Sequence, residues 1–301
     1  MSQNLILNRN HIVSNSNNSV LRYNFPKTTE FKDMEIGVKS IDMYNSIFNI
    51  NASLYNNNTF QYFWFNSAGN LATLNTITIP DGYYDVTSIN EYFQAQLILK
   101  SHCLVDATGT KYYFFLKISN NLNRYAVQLD TIRTFLDSQA LAGVTIGGIV
   151  YNYPATRANN WKFNDTSQFA PRFKFLTTNN FNILLGFNQQ DYPTSTQTTS
   201  QSFLSETTPV QEPVSSILVL CNLVRNTLVS PENIMHSFIL TSDFGYINNE
   251  RPNEITYSTI VDGSYSCIEL RLLDQDLKQL QIRDPQMLFN LLLRKKEKPS
   301  S

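Results

Sequence analysis

A few residues in this chain are of types that do chemistry, and their spacing decides how far each goes. His102 and Cys103 are adjacent and offer two soft metal ligands. A zinc site needs four donors in short, paired spacings, and no second His/Cys pair stands at that distance. Cys221 and His236 form a candidate thiol–imidazole pair. Both fall in apolar, strand-like stretches with no third residue to orient the imidazole, so each reads as core. Asp274, Asp276 and Asp284 lack the glycine and the spacing of a calcium loop and read as turn residues. Gly143, Gly147 and Gly148 are not followed by the Lys-Ser/Thr of a phosphate loop and read as turn glycines. The expectation is therefore no catalytic residue, no metal ligand and no cofactor: this is not an enzyme.

Two binding features remain. Phe60, Tyr62, Phe63, Trp64 and Phe65 are either a stacking platform for bases or sugars or the two faces of a core strand. Arg294-Lys295-Lys296, with Lys298, makes a short basic tail. It either faces packaged DNA or an acidic partner, or is a solvated end.

Composition narrows the class. Of 301 residues only 16% are charged, against roughly 25% in ordinary soluble domains. Asn, Ser, Thr, Gln and Tyr replace them. Neutral polar groups cost less to desolvate than ions, which suits faces that end against neighbours; a bias toward AT-rich codons would enrich some of the same residues. The formal net charge is -1, so no global field draws in nucleic acid or an anionic membrane. Cys103, Cys221 and Cys267 lie far apart, which argues for a reducing compartment. No apolar signal core and no 18-residue apolar run is visible, so neither secretion by that route nor membrane insertion is expected.

Along the chain, residues 14–19 (SNSNNS) read as part of a flexible arm over 1–19. Strand signals follow at Val20–Phe25, ending at Pro26, and at Met34–Met43, where period-two alternation slips between Val38 and Ile41 as a bulge would make it. Phe60–Phe65 and Thr73–Ile79 continue the strands. After Pro80-Asp81-Gly82 the pattern becomes mixed. A helix starts at Ser88, taken as N-cap with Glu91 three residues on. Further strands are predicted at Tyr112–Ile118, Tyr125–Leu129 and Arg172–Leu176, with helices at Ile132–Leu141 and Asn180–Gly186. Residues 188–211 form a polar connecting loop. Strands then resume at Ser216–Val224, Ile234–Leu240, Ile255–Ile260, Cys267–Leu273 and Met287–Leu293. The reading is an all-β fold: a jelly-roll sandwich from 20–80 and 212–294, a mixed α/β lobe inserted over 81–187, and a basic tail at 295–301.

The ordered set Glu35–Ser46, Ile77–Tyr84, Ile89–Tyr92, Leu184–Phe187, Val214–Asn226, His236–Phe238, Glu254–Tyr257, Ile268–Gln275 and Leu288–Arg294 resembles the minor capsid (penton) proteins of virophages and of polinton and adintovirus-like elements, the mavirus-type virophage penton in particular. The resemblance covers most of the chain apart from the arm and much of 100–175. It implies a single jelly roll whose homopentamer plugs the five-fold vertex of an icosahedral virion, beside a double-jelly-roll major capsid protein, after synthesis in the cytoplasm of the infected host cell. The inserted lobe would face outward. The alternative is a lectin-like, carbohydrate-binding sandwich used in host attachment, stacking sugars on Trp64 or Trp161.

Overall fold

The two ends of the chain meet as neighbouring strands. In the computed structural model, which describes residues 2–157 and 160–296, Ser2–Asn8 (β1), Val20–Phe31 (β2) and Met34–Tyr44 (β3) open the chain. A long insertion holds Thr59–Phe65 (β4), Leu71–Thr78 (β5), Val86–Leu99 (α1), Leu104–Asp106 (β6), Tyr112–Tyr113 (β7), Leu116–Asn121 (β8), Ala126–Thr131 (β9) and Asp137–Ala142 (α2). It continues through Val144–Ile146 (β10), Ile149–Asn152 (β11), Arg172–Lys174 (β12), Phe181–Leu185 (α3), Asp191–Tyr192 (β13) and Gln201–Leu204 (β14). Ile217–Cys221 (β15), Ile234–Phe238 (β16), Ile247–Glu250 (β17), Tyr257–Thr259 (β18), Gly263–Asp274 (β19) and Met287–Lys295 (β20) complete it. Contacts divide the chain into two units. One holds the ends, up to Ile47 and from Glu212; the other is Phe48–Gln211.

The first unit is a jelly roll. One sheet runs β1-β20-β3-β17, with β18 also paired to β3; the other runs β16-β15-β19-β2. With β17 and β18 counted as one interrupted strand, eight strands in chain order alternate as 1-8-3-6 and 5-4-7-2, every pair antiparallel. That order is the double Greek key of a jelly roll. Inward side chains of both sheets, among them Ile36, Val38, Val219, Leu270, Leu272 and Phe289, form one hydrophobic core.

Three local expectations change. The segment 1–19 is not a flexible arm: β1 pairs with β20 over seven residues, burying Leu7 completely. Its sequence hides this because an edge strand buries only one face, and few of its residues are apolar. The Asn-rich stretch is a tight loop instead, with left-handed backbone at Asn15 (φ 60°), Asn17 (51°) and Asn18 (58°), a conformation Asn tolerates better than most residues. Strand β2 also runs past Pro26 to Phe31. It is an edge strand, and its register with β19 shifts between Tyr265 and Cys267 opposite this stretch; proline is tolerated at edges and bulges. The slip in β3 is a bulge: Asn290 pairs with Ser40 and Leu291 with Val38, leaving Lys39 over and exposed.

The second unit begins earlier and ends later than the pattern suggested. Strands β4 and β5, expected in the sandwich, pair with each other and with β12 and β13. Phe60, Tyr62 and Trp64 fill the core of this unit. Alternation shows that one face of a strand is buried, but not against what. The polar stretch 188–211 is not purely a connection either: β13 pairs with β12, and β14 with β9. Helix α1 starts before Ser88. Asp85 is the N-cap, its carboxylate accepting the Ser88 N–H at 2.6 Å, which satisfies one of the helix's orphan donors. Ile89, Phe93 and Leu97 bury its inner face. The second helix is shorter than expected, at Asp137–Ala142. Helix α3 stops where Gly186 turns left-handed (φ 78°), and a Cβ there would lie 2.3 Å from the Thr207 carbonyl oxygen; only glycine fits.

Two outcomes follow from this architecture. Val219 is fully buried between the sheets on the central strand β15, so Val219→Asp is expected to lower stability by about 3–5 kcal/mol, the cost of an unpaired buried charge; urea unfolding measures it, and an unchanged midpoint would contradict the assignment. Because each unit has its own core, replacing 48–211 with a Gly/Ser linker should leave a folded β-protein with a cooperative melt, loop closure depending only weakly on length. Circular dichroism of that variant reads the outcome directly.

Candidate functional site

The residues singled out for chemistry settle into structural roles. His102 is buried against Trp64, ring centroids 4.8 Å apart and nearly parallel, with its Nδ1 2.7 Å from the Tyr62 hydroxyl. Burial, with a smaller contribution from Lys100, pulls the imidazole down to about 3. Burial also pushes the Tyr62 phenol up, so a neutral phenol meets a neutral ring. Cys103 beside it is buried and its thiol is pushed up to about 12. Among the described residues no group of three or more His, Cys, Asp or Glu side chains converges.

Cys221 lies in the jelly-roll core with its thiol pushed up to about 12 by burial. His236 stands opposite Val219 on the neighbouring strand β16, not against Cys221. Its Nε2 is 3.8 Å from Glu250 Oε1, and burial pulls the imidazole down more than that carboxylate raises it. Asp274 and Asp284 make turns. Asp274 Oδ1 accepts the N–H groups of Asp276 (2.9 Å) and Lys278 (2.8 Å), and Asp284 Oδ1 that of Gln286 (2.7 Å). Gly147 and Gly148 both have positive φ, 58° and 80°, in the two-residue connection between β10 and β11, and Gly143 ends α2 at φ 94°.

The two binding features also change character. Trp64 is 0% and Trp161 3% exposed. Their rings meet edge to face at 5.2 Å in an aromatic cluster with Phe163. A buried ring cannot stack on a sugar, so the carbohydrate platform expected of these residues does not form. In the basic run, Arg294 is paired through Nε to Glu35 and lies 3.6 Å over the Tyr257 ring, while Lys295 ends β20 opposite Met34. Its Lys298 lies outside the described residues.

What the structure does expose is a small set of apolar side chains. The loop from β16 to β17 presents Ile239 (55% exposed) and Tyr246 (68%), and β17 opens on Ile247 (52%). Hydrogen bonds hold it: Asn248 Oδ1 accepts the Thr241 N–H at 2.9 Å, and Tyr246 N–H donates to the Asp243 carbonyl at 3.1 Å. In the inserted unit the β8–β9 turn exposes Leu122 and Tyr125, and Ile183 and Val210 share a backbone hydrogen bond at another half-exposed patch. Single exposed apolar residues are ordinary; these stand on hydrogen-bonded segments. One polar cluster escaped sequence reasoning. Glu269, nearly buried on β19, is gripped by Arg22 and Arg271. Its signal was the alternation of Ile268-Glu269-Leu270-Arg271-Leu272, which places charge on every outward position.

The His102 geometry makes a pH prediction. Its folded value lies below the unfolded 6.5, so folding favours the neutral ring. That stabilisation is complete above pH 6.5 and is lost as pH falls toward 3, by up to about 1.4 kcal/mol per pH unit for one proton. His102→Gln, which keeps a hydrogen-bonding partner for Tyr62, should be less stable at pH 7 yet show a shallower loss between pH 6.5 and 4. Parallel profiles in chemical denaturation would contradict it.

No protein-family model matches the chain, and no curated protein matches it. Solved structures do. A selenomethionine-labelled mavirus penton protein aligns over 98% of this chain and 99% of that one, with 12% identity and a TM-score of 0.45. The Sputnik virophage structure determined by cryo-EM aligns over 97% and 96%, with 13% identity and a TM-score of 0.38.

Proposed function

We propose that the chain is a structural subunit of a virion: a minor capsid protein of the penton kind, five copies of which close an icosahedral five-fold vertex. The observation that carries this reading is the jelly-roll strand order, 1-8-3-6 packed on 5-4-7-2. The segments of the sequence resemblance build its central strands. Glu35–Ser46 spans most of β3, Val214–Asn226 contains β15, Ile268–Gln275 closes β19, and Leu288–Arg294 lies in β20.

The function is then assembly, and its physics is surface. With 16% charged residues, little ionic desolvation opposes contact between subunits, and obligate interfaces are more apolar than ordinary surface. Exposed edges of the sandwich carry blocking groups. Strand β2 has Pro26 and Lys27, and the break between β17 and β18 holds Arg251 and Pro252, devices that prevent open-ended edge pairing. Contacts are thereby directed to loops such as Ile239–Ile247, an arrangement suited to a closed ring rather than a filament. The major capsid protein is the second partner in this reading, and the virion vertex the location. The lectin reading loses its platform with the burial of Trp64 and Trp161.

Light scattering and negative-stain imaging of the purified chain, alone at high concentration and mixed with the major capsid protein, are expected to show five-fold rings or particles with the chain at their vertices. Tyr246→Asp should weaken either assembly. A chain that stays monomeric and never enters particles would rule the proposal out.

A further inference from the structure

The outward face of the β16-β15-β19-β2 sheet holds a polar recess of about 600 Å³, lined in part by Ser14, Asn15, Arg22, Asn233, Glu269 and Arg271. Strand geometry puts the charges there. Ile268, Leu270 and Leu272 fill the core, so Glu269 and Arg271 point the other way. Arg22 stands directly opposite Glu269, and Arg271 opposite Val20, which makes the two arginines diagonal neighbours on one face. Glu269 Oε2 accepts from Arg22 Nε (2.8 Å) and Nη2, and Oε1 accepts from Arg271 Nε (2.7 Å). The carboxylate is thus saturated from both sides, and its side chain is only 10% exposed while those of the arginines are 46% and 62% exposed.

The buried carboxylate does more than pair: it holds two half-exposed guanidinium groups at fixed orientation with donors to spare. Among the described residues, Arg22 Nη1 and both Arg271 Nη groups have no protein acceptor, nor do the side-chain amides of Asn15 and Asn233. Two cations against one anion leave the recess lining one net positive charge. A further planar carboxylate would need only one guanidinium fork. Guanidinium groups and amides arrayed around a recess instead match an oxyanion with acceptors in several directions.

We propose that this recess binds a phosphate-type oxyanion, clamped by Arg22 and Arg271 and completed by Asn15 and Asn233. A single net charge and a chain of net charge -1 favour one phosphate group over a long polyanion track. Free phosphate and the phosphodiester of a nucleic acid share this chemistry.

Isothermal titration calorimetry of the full chain with inorganic phosphate, at matched ionic strength in chloride, tests it. A saturable, one-per-chain isotherm is expected. Arg271→Gln should weaken it at least tenfold and Asn233→Ala severalfold, both with a cooperative melting curve retained in chloride. Arg225→Gln, which alters an exposed ion pair outside the recess, should leave it unchanged. Binding of a short DNA oligonucleotide that phosphate competes away and Arg271→Gln abolishes would identify a phosphodiester as the source; its absence beside intact phosphate binding would identify free phosphate. No saturable phosphate isotherm, equal weakening by Arg225→Gln, or binding of a hexaglutamate peptide without phosphate binding would each overturn the proposal.

Discussion

The jelly roll stands on one pairing, β3 with β20. Residues 34–43 align with residues 287–295 across nearly the whole chain, with one bulge at Lys39. Strand β1 adds to the free side of β20, and β17 and β18 add to the free side of β3, so the entire sheet is templated on this one register. The second sheet repeats the logic, β19 joining β2 from one end of the chain to β15 from the other. Such non-local pairing forms late and slowly, since closure entropy precedes any contact that offsets it. The length of what lies between matters little, because each doubling of a flexible loop costs only about 0.6 kcal/mol. A unit as large as Phe48–Gln211 can therefore occupy the connection after β3 without upsetting the sandwich.

The two units solve the core problem with different residues. The jelly roll is filled mainly by Ile, Leu, Val and Met, whose aliphatic side chains suit two pleated faces packed together. The inserted unit has short strands and small sheets, and it closes them around rings: Phe60 stacks on Phe181 at 4.8 Å, and Phe175 on Phe187 at 5.7 Å. Large rings bury more area per residue than aliphatic side chains, which compensates for little regular structure. Their polar tips carry a cost. Trp64 Nε1 and Trp161 Nε1 are buried without an acceptor among the described residues, whereas Tyr62 reaches His102.

Charge, being scarce, is placed where geometry needs it. Asp85 caps a helix, Asp106 and Asp274 close turns by accepting backbone N–H groups, and Glu35 and Glu269 anchor arginines at strand edges. Hydrogen bonds from Thr108 and the backbone hold Asp106 down at about 2.

Local sequence decided whatever local physics controls. The bulge at Lys39 was legible because an extra residue shifts the period-two pattern; α3 ended at Gly186 because only glycine takes that backbone beside Thr207; Ile217, Val219 and Cys221 shared an inward face because strands alternate. Even the structural roles of Cys221 and Asp274 could be read from their surroundings. Partnership could not. Nothing in Phe60–Phe65 says that its buried face belongs with Phe93 and Phe173 rather than with β3, since a hydrophobic face is complementary to any other. Ser2–Asn8 looked like an arm because an edge strand needs only one buried residue, Leu7, and backbone pairing carries no sequence signature. The Arg22–Glu269–Arg271 cluster joins residues from opposite ends of the chain, so its recess came into being only when the register of β2 on β19 was set.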